Sequence, residues 1–267
     1  MTEMTRTTFR TGSKIAEGEE SPALLTRSIS QAAANTCKSL IDHHSVVFPQ
    51  SDAFELANVL IAQKEALVTE LIESALDLTT DGKQLFAQLF SKTAATLGLM
   101  WERDQCSFAD VTLGMSCLHR QFRHNVERLS SYLEPIPDRR RALITPLPGD
   151  DHIFAAALVG EYFRAAGWQV YSGINFTRSA VLRTCADEDF DFIGISVSAD
   201  ERLYDASQLI HDIRCIERLE SVPILVGGLP FQTDITAAAQ IGADHAASNV
   251  IEALEIAERL PLKSGPN

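Results

Sequence analysis

From residue 139 onward, short apolar runs alternate with amphipathic stretches, and this alternation restricts the fold more than any other feature of the chain. The runs are ALITPLP (142–148), WQVYSG (168–173), DFIGISVS (191–198), VPILVGG (222–228) and a weaker DHAAS (244–248). Helical spacing falls between and after them, near 151–166, 178–186, 202–218, 233–241 and 249–260. Runs so short and apolar suit strands buried on both faces, and a helical crossover after each strand makes neighbouring strands parallel. The pattern predicts an α/β unit over 139–262, a doubly wound parallel sheet covered by helices on both faces. Ligands of such sheets bind at the carboxyl ends of the strands, near the point where the strand order reverses. The loops after strands one, three and four are therefore the places to search.

The upstream half reads differently. Over 21–133 apolar residues recur three and four positions apart, as in Leu56, Leu60, Ile61, Leu67, Val68, Leu71 and Ile72, which is helical spacing. Helices are predicted near 21–44, 51–77, 80–103 and 106–133, with Ser51 as the N-cap of the second. Short connections between them argue for an antiparallel four-helix bundle, and a helical dimerisation module would show the same periodicity. Residues 1–20 are polar and lack periodicity, as in a flexible tail. The EPIPD segment at 134–138 carries two prolines and ends the helical pattern, so it reads as a linker. A fragment beginning near Arg139 should then fold alone.

Charge and motif content narrow the function. With 23 basic and 36 acidic residues the formal charge is −13, which opposes direct binding to a polyanion. The run Arg139-Arg140-Arg141 fits a solvated strand edge better than a DNA contact. Cys37, Cys106, Cys117, Cys185 and Cys215 are odd in number, widely spaced and free of CxxC pairs, so they form neither a disulfide framework nor a zinc motif. The expected compartment is the cytoplasm, with no membrane span. No nucleophile elbow, phosphate-binding Walker loop or HExxH segment is present, which removes the common hydrolase and kinase chemistries.

The three loops hold chemically capable residues. After strand one comes Gly149-Asp150-Asp151-His152-Ile153-Phe154-Ala155, with an Asp two positions before a His. Such an imidazole can offer one nitrogen to a metal while Asp150 takes a hydrogen bond from the other, fixing the tautomer. Alternatively, the pair is a helix cap beside a surface histidine. Ser196-Val197-Ser198 follows strand three, where the serines could equally be local hydrogen-bonders. Gly227-Gly228 closes strand four; without side chains they would let a bulky ligand approach the backbone, or simply make a turn.

In order and position these segments resemble the cobalamin-binding domain superfamily, whose pattern is Asp-x-His-x-x-Gly, then Ser-x-Leu, then Gly-Gly. That family has a flavodoxin-like sheet preceded by a four-helix cap. Within it the chain is most similar to the cobalamin-binding antirepressors of photosynthesis genes in purple bacteria (AerR/PpaA type), through Leu97-Gly98-Leu99-Met100-Trp101-Glu102-Arg103-Asp104, Phe108 to Gly114, and Ala166-Gly167-Trp168. The resemblance implies that His152 is the lower axial ligand of cobalt, displacing the cofactor's nucleotide base, with Asp150 as its partner and Asp151 and Ile153 beside it. It implies that the displaced base threads between sheet and helices by Ser196, Ser198, Gly227 and Gly228, and that Trp101 covers the upper corrin face. A core tryptophan is the plainer reading of Trp101. Ala155 departs from the family glycine and Ser198 from its leucine. Arg202 stands near where methyl-transferring relatives carry a relay serine, which favours sensing over turnover.

By the same resemblance the partner is a DNA-binding repressor of photosystem genes and the signal is light or cobalamin supply. The expected cofactor form carries a small upper ligand, hydroxo, aquo or methyl, in preference to adenosylcobalamin. A methyl-carrying corrinoid subunit, a haem sensor of the same fold and a colourless scaffold are the competing readings.

Overall fold

The computed structural model describes residues 48–79, 81–136, 140–172 and 177–261. The predicted tail and the predicted helix at 21–44 lie outside them, as do Cys37 and Arg139. In the first half the chain forms α1 (Gln50–Ile61), α2 (Glu65–Leu78), α3 (Gly82–Glu102) and α4 (Phe108–Ser131).

The single helix expected over 51–77 is two. Lys64 donates its N–H to the Val59 carbonyl and Gln63 to that of Leu60, while Gln63 takes a left-handed φ of 54°. This is a Schellman closure with Gln in the place usually held by glycine, so no glycine or proline marked the break. Ser51 is not a cap either. The N-cap of α1 is Pro49, without a side-chain bond, and Ser51 donates to its neighbour Asp52. Side-chain caps do start α3, where Asp81 accepts the Gln84 N–H, and α4, where Ser107 and Asp110 form a reciprocal capping box.

The second half contains β1 (Arg141–Pro146), α5 (Phe154–Ala165), β2 (Gln169–Ser172), α6 (Arg178–Asp187), β3 (Phe192–Ser196), α7 (Leu203–Arg214), β4 (Ile224–Gly227), two short helices α8 (Leu229–Thr233) and α9 (Ala237–Gln240), β5 (His245–Ala247) and α10 (Val250–Arg259). All five predicted runs are strands, and they pair in parallel in the order β2-β1-β3-β4-β5. The order reverses between β1 and β3, so the crevice of a doubly wound sheet opens there. The helix expected at 233–241 is instead α8 and α9.

Both faces of the sheet are covered. Ile193, Ile195, Val197, Ile224 and Val226 pack with Val181, Ala206, Leu209 and Phe231 on the side of α6 to α9. Ala142, Ile144, Phe192 and Leu225 pack with Phe163, Trp168, Ala253 and Leu254 on the side of α5 and α10. The helical half then covers α5, since Phe154, Leu158, Tyr162, Ala165 and Val250 share one buried cluster with Phe86, Phe90, Leu118 and Phe122. The Tyr162 hydroxyl also donates to the Lys83 carbonyl at 2.7 Å. The described part of the EPIPD segment is docked, with the Ile136 N–H bonded to the Ala166 carbonyl at 2.9 Å.

The two described arginines of the basic run are engaged within the fold and do not form the solvated strand edge expected of them. Arg140 donates to the carbonyls of Ala257 and Leu260 and lies over the Trp168 ring, and Arg141 pairs with Glu188 and Tyr171. Among the described residues, no helix is long and apolar enough to cross a membrane.

Candidate functional site

The loop after β1 is shaped by its sequence LPGD. Asp150 donates its N–H to the Leu147 carbonyl at 3.0 Å, and Gly149, third of the four, has a φ of +80°. Proline second and glycine third suit a type II turn, the third position requiring positive φ. The turn delivers Asp150 inward and His152 outward: their side chains are 4% and 81% exposed.

The Asp150 carboxylate is well occupied. One oxygen faces His152 Nδ1 at 3.2 Å and also accepts the His152 backbone N–H at 3.2 Å; the other accepts the Ser198 N–H at 3.2 Å. Burial works to raise the Asp150 pKa, but bonds from Ser198 and from the backbone and ring of His152 outweigh it, holding the carboxyl below its usual range. An ionised Asp150 favours the tautomer with hydrogen on Nδ1, which leaves Nε2 as a free lone-pair donor facing solvent. Asp151 is exposed and Ile153 half-buried, just ahead of α5, and the Ala155 methyl lies on the exposed side of its first turn.

The strand ends form one row. Pro146 pairs with Ser196, Ser196 with Gly227, and Gly227 with Ala247. Side chains alternate along a strand, so Gly194 and Ser196 share the face of Phe192, toward α5 and α10. Small residues thus line that face at its carboxyl end. Gly228 has a steric reason of its own to be glycine. At φ +116° a Cβ there would stand 1.9 Å from the Val197 carbonyl oxygen, so the chain's own backbone takes the space. At Gly227 a Cβ would meet the Ala247 carbonyl at 3.3 Å.

The bundle overlooks this edge. Phe154 meets the rings of His119 and Phe122, at 5.5 and 5.7 Å between centroids, while Tyr162, two turns further along α5, meets Phe86 at 6.0 Å. Helix α3 therefore rises and α4 descends alongside α5. Phe108 lies eleven positions before His119 on α4, about three turns, hence on the same face and roughly 16 Å higher. Trp101 packs on Phe108 at 6.3 Å, and these rings are 49% and 70% exposed. The core reading of Trp101 is thus wrong: the indole sits outside the bundle core, on a part that extends beyond the start of α5. His119 was not singled out from sequence. Burial first, then Arg123, lowers its pKa, leaving a neutral imidazole beside Phe154.

Among the described residues no three His, Cys, Asp or Glu side chains converge into a metal-holding group. A lone, oriented imidazole suits a metal that arrives with most of its coordination already filled by a macrocycle. The residues present fit such a group.

The fold recurs in the monomethylamine corrinoid protein of Methanosarcina barkeri, which is 19% identical with a TM-score of 0.64, over 78% of this chain and 98% of that one. A cobalamin-binding protein from Desulfitobacterium hafniense is 16% identical with a TM-score of 0.43, over 78% and 98% of the two chains. The methanol:cobalamin methyltransferase complex of M. barkeri is 14% identical with a TM-score of 0.41, over 90% and 92%. No curated protein matches the chain significantly. Residues 140–255, which hold the whole sheet and the His152 loop, match the family model of the B12 binding domain.

Proposed function

We propose that this protein binds cobalamin, with His152 as the lower axial ligand of cobalt, and acts as a regulator through a DNA-binding repressor of photosystem genes. The observation that carries the cofactor assignment is the Asp150–His152 pair: a buried, ionised carboxylate orienting an imidazole whose Nε2 is free, at the switch point of a sheet matching the B12 binding domain. When bound, the cofactor would supply a cobalt centre whose upper ligand changes with light or supply. The chain's own part is to hold the imidazole, to receive the displaced base beside Ser196, Ser198 and Gly227, and to overhang the upper face with Trp101 and Phe108.

Arg202, engaged with the Pro148–Gly149 turn near where methyl-transferring relatives carry a relay serine, supports sensing over methyl transfer. The protein's −13 charge, with Arg140 and Arg141 engaged internally, points to a protein partner rather than to DNA itself. The corrinoid methyl-carrier is the second reading, favoured by the fold shared with the monomethylamine corrinoid protein.

The deciding experiment uses protein labelled with 15N-histidine, loaded with hydroxocobalamin and reduced to the cobalt(II) state. Electron paramagnetic resonance should show 15N superhyperfine splitting in the wild type and none in His152→Ala. Equal spectra for the two would remove His152 as the ligand. Light- and cobalamin-dependent capture of the repressor, without methyl-transfer activity, tests the regulatory role.

A further inference from the structure

We propose that Arg202 is a positioning residue: its guanidinium clamps the Pro148–Gly149 turn and so holds the Asp150–His152 pair in place at the carboxyl edge of the sheet. The inference rests on the reading of His152 as an axial ligand and extends it to the residue that fixes the loop.

Arg202 ends the short 3-10 turn Asp200–Arg202 that follows β3. Its side chain, 26% exposed, folds back over the neighbouring loop instead of extending into solvent. One terminal nitrogen donates to the Pro148 carbonyl at 2.8 Å and the other to the Gly149 carbonyl at 3.2 Å, while Nε donates to Asp205 at 2.9 Å. Neither carbonyl is used by the turn, whose own bond runs from the Asp150 N–H to the Leu147 carbonyl. The next residue along is Asp150, whose carboxylate is held by the Ser198 N–H. The β3–α7 connection therefore grips the ligand loop twice, by Arg202 on the turn and by Ser198 on the carboxylate.

The chemistry needs arginine. A planar fork can serve two carbonyls on adjacent peptides while its third nitrogen holds a carboxylate, whereas a lysine ammonium is a single point on a flexible stem. Without the fork the loop keeps its internal turn bond and the Ser198 grip on Asp150 but loses the restraint on the Pro148–Gly149 peptides, and the imidazole samples orientations in which Nε2 no longer faces one fixed point. Partners that orient metal-bound histidines typically contribute 10- to 100-fold to affinity.

The test uses the full chain as Arg202→Met and Arg202→Lys, labelled with 15N-histidine, folding being checked by circular dichroism. Without cofactor, nuclear magnetic resonance of the His152 ring nitrogens should show the Nδ1–H tautomer in the wild type, a tautomer mixture in Arg202→Met and an intermediate pattern in Arg202→Lys. With hydroxocobalamin, Arg202→Met should bind roughly tenfold more weakly and lose part of the 15N signature on cobalt(II), with Arg202→Lys restoring part of both. A wild-type tautomer pattern and wild-type affinity in Arg202→Met would overturn the proposal. Should Arg202→Met not fold, Arg202→Lys decides, and its identity with wild type in both readouts would overturn it. If the wild type takes up no hydroxocobalamin, the ligand reading falls, while the cofactor-free measurement still decides what Arg202 does to His152.

Discussion

At the scale of single residues, the site depends on groups with opposite environments two positions apart. Asp150 is buried and its pKa lies below the ordinary carboxylate value of about 3.9, so its contribution to stability is complete above that value and is lost as the pH falls through the depressed one. The melting temperature of Asp150→Asn should therefore lie below wild type at neutral and mildly acidic pH. The gap should close only below about pH 4. A gap that closes between pH 7 and 5 would mean the carboxylate is not held as described. Gly228 offers a second residue-scale test. Gly228→Ala forces a Cβ into the Val197 carbonyl at positive φ and should destabilise by more than about 3 kcal/mol, in denaturant titrations without any cofactor present. Ligand clearance as the sole reason for that glycine would instead leave apo stability unchanged.

At the scale of elements, the end of α3 and the start of α4 extend beyond the start of α5 and carry Trp101 and Phe108 with them. A tryptophan packed in a core would cost about 3–5 kcal/mol on truncation. Trp101 is half exposed and rests mainly on Phe108, so Trp101→Ala should cost only about 1 kcal/mol or less. Its effect should show in cofactor choice: the wild type is expected to prefer hydroxo- or methylcobalamin, and the alanine variant to admit adenosylcobalamin more readily. Titration of all three forms in the dark measures this. Identical preferences in both proteins would leave Trp101 with no part in the cap.

At the scale of the whole molecule, the helical half and the sheet share a buried cluster through Phe154, Leu158, Tyr162 and Val250. Burying side chains of this kind is worth about 1.5–3 kcal/mol each. The full chain is therefore expected to unfold in one calorimetric transition, and a fragment beginning near Arg139 to melt lower and self-associate. Two separate transitions would restore the independent sheet domain that the prolines of EPIPD suggest. This contrast marks what each level of description decided. The strand-helix alternation, the parallel sheet and the Asp-x-His, Ser and Gly-Gly segments were legible in sequence because they are local: periodicity and spacing depend on neighbours along the chain. The break at Gln63, the packing of Trp101 on Phe108, the clamp from Arg202 and the docking of the helical half on α5 were not legible. Each depends on which distant surfaces meet, and a left-handed Gln, an indole resting on a phenyl ring or an arginine donating to two carbonyls has no mark of its own in the sequence.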